Sequence, residues 1–143
     1  MKETTFTSDA SVHTTPALSA LVVTTALLLT PGPLSDSLMA WVIEWLPWTT
    51  LGMSSNEYPV DKLVHVVLFA ICGYLFCKEW LKTPRKLAYL YISLFIYGLA
   101  IELLQIPIPG RGGSIGDLIA DSVGLLLGFY LAMRAKDASG KIF

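Results

Sequence analysis

Charge is scarce in this chain. Of its 143 residues, 15% are charged and 54% are hydrophobic, whereas an ordinary soluble domain carries about 25% charged residues. With a mean hydropathy of +0.61, that shortage argues for an integral membrane protein, and the length allows one domain. The net charge of −1 leaves no broad basic surface, so no nucleic-acid partner is expected. Cysteine is nearly absent. Cys72 and Cys77 share one apolar run, about 140° apart in azimuth on a helix, so a disulfide or a zinc pair is not expected of them and buried packing is. There is no internal repeat and no low-complexity tract beyond a Thr/Ser-rich start. There is also no His-Glu-x-x-His pair, no nucleophile elbow and no cofactor motif, so no cofactor is expected.

What is present is a series of apolar runs separated by proline, glycine and charge. Residues 1–15 read as a flexible polar N-terminus, 16–134 as a membrane domain and 135–143 as a polar, frayed cytoplasmic tail. A first span is expected from Pro16 to Leu34. Its central apolar run is short enough for a signal-peptide core, but neither a strong basic start nor a small-x-small cleavage site accompanies it. Three further spans are expected at Lys62–Trp80, Leu87–Ile106 and Ile115–Met133, each close to the ~20 residues a bilayer requires. Between the first and second, Leu38, Trp41, Val42, Trp45 and Leu46 fall on one helical face. Ser35 or Asp36 is placed to cap that helix and Pro47 to end it. Its tryptophans suit a short helix at headgroup level, or a lid packed on the bundle. The fold expected is therefore all-α: an integral membrane four-helix bundle with a short outer interfacial helix.

The loops give the orientation. Lys78, Lys82, Arg85 and Lys86 lie between the second and third spans, and Arg134, Lys136 and Lys141 follow the fourth; residues 31–60 contain no Lys or Arg. The positive-inside rule then places both termini in the cytoplasm, with the Trp-rich loop and the Arg111 turn outside. That topology gathers the unusual residues at one end. Asp61, Lys62 and His65 open the second span, Glu102 and Gln105 close the third, Arg111 and Ser114 occupy the outer turn, and Asp117 and Asp121 begin the fourth. Intramembrane charges are costly, so they are expected to be paired, interfacial or used.

Each of these residues also has an ordinary role to offer. Asp61 can cap the second span. Ser114 and Asp117 match a Ser-x-x-Asp capping box. Lys62 can snorkel to the interface, and His65 can be a hydrogen-bonded core histidine. Glu102 and Asp121 fit such roles poorly. Glu102 lies at the negative end of its helix and needs a partner, for which Arg111, Lys62 or a proton is available. Asp121 lies too deep for a cap. In the fourth span, Gly116, Ala120, Gly124 and Gly128 form a small-residue ridge that admits a close neighbour, and a second copy or another membrane protein is a candidate for that place.

In order along the chain, Asp61-Lys62-x-x-His65, Glu102-x-x-Gln105 and Arg111-x-x-Ser114-x-x-Asp117-x-x-x-Asp121-x-x-Gly124-x-x-x-Gly128 resemble the VanZ-like family of small bacterial membrane proteins. The resemblance covers roughly residues 60 to 130. The family usually has asparagine where this chain has Asp121. The resemblance implies a four-span protein of the cytoplasmic (inner) membrane, linked to reduced susceptibility to glycopeptide antibiotics such as teicoplanin. It implies no particular reaction.

Three functions remain open on these residues. Lys62, His65, Glu102, Gln105, Arg111, Asp117 and Asp121 can form an outer-facing site for a membrane lipid or a lipid-linked envelope precursor. Alternatively, His65, Glu102 and Asp121 are the candidate catalytic groups of a membrane-embedded hydrolase or transferase, with Arg111 stabilising charge. In a variant of that reading, His65, Glu102, Asp117 and Asp121 recruit a divalent metal. In the third, the chain is a scaffold whose contact surfaces are the small-residue ridge and the Trp-rich helix.

Overall fold

The computed structural model describes residues 16–44, 60–80 and 85–138. The architecture is all-α: α1 Pro16–Leu28, α2 Gly32–Glu44, α3 Val60–Trp80, α4 Arg85–Gln105 and α5 Ile115–Ala138, with no strand among the described residues. Among the described residues, three helices, α3, α4 and α5, are long and apolar enough to cross a membrane, and α1 with α2 makes a fourth candidate as a bent pair. Much of their apolar surface faces outward. Ile92, Ile96 and Leu103 of α4 and Ile119, Val123 and Leu126 of α5 are all at least half exposed, as expected where hydrocarbon is the solvent.

The expected single span Pro16–Leu34 is corrected by a corner. α1 stops at Leu28, and the axis turns by 110° into α2. Pro31 and Pro33 contribute no backbone N–H, so the helical ladder cannot run through them. The Pro31 carbonyl instead accepts the Leu34 and Ser35 amides and starts α2. Ser35 and Asp36 therefore lie inside α2 rather than capping it. Thirteen residues make α1 about 20 Å long, short of a hydrocarbon core of roughly 30 Å. Leu38 and Trp41 of the expected interfacial face are exposed. The side chains of Val42, Trp45, Leu46 and Trp48 lie outside the described residues, as do His13 and most of the two termini.

α3 and α5 form the close-packed centre. Lipid offers helices no hydrophobic reward for pairing, so contact comes from small residues that let backbones approach. A Cβ on Gly124 would run into the Val66 carbonyl, and one on Gly128 into that of Ala70. Gly73 makes the reciprocal approach from α3, against Leu125. At Gly124 and Gly128 the neighbour that the small-residue ridge admits is α3 of the same chain. Phe69, Leu125, Phe129, Cys72 and Cys77 fill the surrounding core, and both cysteines are free.

α1 lies along this core antiparallel to α3. Its first turn meets the C-terminal end of α3, where the Ala17 amide donates to Glu79 Oε1 at 3.3 Å. Midway, Thr24 contacts Cys72 Sγ at 3.4 Å and Thr25 Oγ1 meets Tyr97 OH at 2.8 Å. At its far end Gln105 Nε2 donates to the Leu28 carbonyl at 2.9 Å. α5 continues past the expected Met133 to Ala138, its polar last turns carrying Arg134 over the Tyr130 ring at 5.5 Å.

Candidate functional site

The start of α3, the end of α4 and the start of α5 meet at one end of the bundle, and their polar residues face one another. At the centre is His65, fully buried on α3. Its Nδ1 lies 2.8 Å from Asp121 Oδ1, also fully buried, and 3.7 Å from Glu102 Oε1. Asp121 fits because α4 has no side chain at Gly98: a Cβ there would come within 2.9 Å of Asp121 Oδ2.

Glu102 finds a different partner from those its charge suggested. Its Oε2 accepts the Ser114 amide at 2.7 Å. In a capping box that amide would belong to the carboxylate at the third helical position, here Asp117. Ser114 Oγ accepts the Gly116 amide at 3.1 Å, so the serine caps α5 while Glu102 reaches across the turn to supply the carboxylate. Asp117 is thereby left to accept from Lys62 Nζ at 2.9 Å. The lysine stem crosses α5 over Gly116, where a Cβ would come within 2.9 Å of Lys62 Cε.

The turn above is pinned to the α1–α2 corner. Arg111 Nε donates to the Thr30 carbonyl at 3.2 Å and Nη1 to Asp61 Oδ1 at 3.0 Å. The Gly32 amide donates to the Pro109 carbonyl at 3.0 Å. Gly110 takes a positive φ of 74°, a conformation that glycine adopts without steric cost. Gln105 joins this seam through the Leu28 carbonyl. The corner carbonyls of α1 are thus satisfied from the α4–α5 segment, as a buried helix end requires.

A family profile described as VanZ/LLP1 matches residues 1–136. The chain belongs to the VanZ/LLP1 family. No curated protein and no solved structure matches it. In this VanZ/LLP1 chain the residues singled out from sequence divide into three sets. His65, Glu102 and Asp121 make the buried centre; half-exposed Lys62 and buried Asp117 make an ion pair beside it; Arg111 and Gln105 hold the roof. Asp61, first read as a helix cap, is the partner of Arg111 instead, and half of its side chain is exposed.

Among the described residues, two groups of side chains have the spacing of a metal site: His65, Glu102 and Asp121, and Asp61, His65 and Asp117, in each case with ligand atoms within 4.8 Å of one another. Asp117 therefore joins His65 in the second group rather than in one set with Glu102 and Asp121. Three buried side-chain atoms in the centre have no hydrogen-bond partner among the described residues: His65 Nε2, Glu102 Oε1 and Asp121 Oδ2. Native structures leave few such atoms, and here three fall in one cluster.

Proposed function

We propose that this VanZ/LLP1 protein lies in the bacterial cytoplasmic membrane with both termini inside. Its outer-facing polar end recognises an envelope lipid or a lipid-linked cell-wall precursor, and this recognition lowers susceptibility to glycopeptides such as teicoplanin. The observation that carries the reading is Lys62. Its side chain is 45% exposed, and of its three donors one is spent on Asp117. The ammonium therefore sits at the rim beside the N-terminus of a long helix, where anionic groups are favoured. Gly116, in the first turn of that helix, lies against the ammonium, where a Cβ would come within 3.2 Å of Lys62 Nζ. A phosphate-bearing headgroup matches that chemistry, and the apolar outer faces of the helices match its acyl chains.

A second reading rests on the buried pair of His65 and Asp121. A carboxylate that orients and stabilises an imidazole is the arrangement of a general base, with Glu102 beside it, and suits a hydrolase or transferase acting on a lipid-linked substrate.

Teicoplanin susceptibility of a sensitive bacterium carrying each variant separates the two. Recognition at the rim predicts that wild type raises the inhibitory concentration, that Lys62→Glu abolishes the effect and that His65→Ala weakens it. Catalysis predicts that His65→Ala and Glu102→Gln both abolish it while the protein still inserts. Protection that survives Lys62→Glu unchanged would remove the first reading.

A further inference from the structure

We infer that His65, Glu102 and Asp121 form a binding site for one divalent transition-metal ion of the zinc class. The first support is geometric. A four-coordinate ion with bonds of about 2.0–2.2 Å to nitrogen and oxygen holds neighbouring ligand atoms about 3.4 Å apart. Around His65 Nδ1, Asp121 Oδ1 lies at 2.8 Å and Glu102 Oε1 at 3.7 Å, which brackets that edge. Small side-chain shifts open the Nδ1–Oδ1 hydrogen bond into two metal bonds.

The second support is the bare oxygen of Glu102. Residue 102 is 5% exposed, and its Oε1 has no hydrogen-bond partner, yet it faces the imidazole. Its other oxygen is held by the Ser114 amide, which fixes the carboxylate plane as outer partners of metal ligands do. The third support is charge. Among the described residues of α3, α4, α5 and the turn between α4 and α5, this end carries four carboxylates, Asp61, Glu102, Asp117 and Asp121, against two permanent cations, Lys62 and Arg111. Lys62 pairs with Asp117 and Arg111 with Asp61. Two buried carboxylates are left to one imidazole, and buried charge without a counter-charge is strongly disfavoured.

The donor set selects the ion. One imidazole nitrogen with two carboxylate oxygens suits zinc and its first-row neighbours. Calcium takes six or more oxygens, and magnesium keeps an octahedral, mostly hydrated shell. The overlapping group of Asp61, His65 and Asp117 is the weaker candidate, because its carboxylates already hold Arg111 and Lys62 and Asp61 is exposed. Three protein ligands leave a fourth position for a small ligand. This site stands independently of headgroup recognition at Lys62.

The test is titration of the detergent-purified, chelator-stripped full chain with Co2+ as a spectroscopic probe for the zinc-class ion. One equivalent is expected to bind with the visible absorption of a four-coordinate centre. Affinity is expected to fall by more than roughly tenfold in Glu102→Gln and Asp121→Asn, and to persist in Asp61→Asn. Because the first two variants alter a buried cluster, a readout on wild type accompanies them: one equivalent of Zn2+ raises the melting temperature and Mg2+ does not. No uptake by wild type would overturn the inference. So would equal uptake by Glu102→Gln, or loss in Asp61→Asn with retention in Glu102→Gln, or an infrared band of a protonated carboxyl in place of metal binding.

Discussion

Glu102 caps the helix that follows its own: its Oε2 accepts the Ser114 amide at 2.7 Å, across a separation of twelve residues. One contact joins the end of α4 to the start of α5. It also frees Asp117 for Lys62 and aims the second Glu102 oxygen at His65. The polar end of the bundle is built outward from it.

Glu102→Ala removes a charge-assisted hydrogen bond and leaves the Ser114 amide without its acceptor. We expect a loss of about 1–3 kcal/mol in unfolding free energy, read by denaturant titration in micelles. Glu102→Gln keeps an oxygen for the amide and is expected to cost clearly less. Equal losses would mean that the charge, and not the cap, sets the contribution of this residue.

Gly128→Ala places a methyl group against the Ala70 carbonyl, where backbone must move. Overpacking of this kind costs about 1–3 kcal/mol, and Gly124→Ala should behave alike against Val66. Gly112→Ala, with open space around it, is expected to melt like wild type. A thermal-shift series on the three variants checks the ranking.

Gln105→Ala leaves the Leu28 carbonyl without its donor, and Arg111→Ala does the same at Thr30. Amide hydrogen exchange is expected to quicken at the α1–α2 corner, from Leu29 to Ser35, in either variant, while the amides of α3 and α5 stay protected. Exchange that quickens across the whole bundle would show that the corner is not a separate unit.

Orientation is tested by single reporter thiols, since Cys72 and Cys77 are fully buried. Gly112→Cys is expected to react with a membrane-impermeant maleimide added to intact cells. Arg134→Cys, at the opposite end of α5, is expected to react only after permeabilisation. The reverse pattern would invert the topology and place the polar end in the cytoplasm.

The long helices were legible in the sequence because their signals are local. α3, α4 and α5 each occupy an apolar run bounded by proline, glycine or charge, and their polar ends follow from alternating direction. The small-residue ridge was legible for the same reason, but its occupant was not, because any helix with accessible backbone can fill a glycine groove. The α1–α2 corner was hidden. The expected span ran through Pro31 and Pro33, and the seam to Pro109, Arg111 and Gln105 joins residues far apart in sequence. The partner of Glu102 was hidden too. Charge pointed to Arg111 or Lys62, yet Asp61 and Asp117 engage those cations, and a backbone amide meets the carboxylate. Thr24 and Thr25, which tie α1 to Cys72 and Tyr97, carried only the signal of paired hydroxyls in an apolar run.

Native mass spectrometry of the detergent-purified protein, wild type beside Lys62→Glu, tests the central claim most directly. A phosphate-bearing lipid or lipid-linked precursor retained by wild type and lost from the variant, with both proteins folded, is the predicted result. The same lipid retained equally by both, or no lipid on a folded wild type, would contradict recognition at the Lys62 rim.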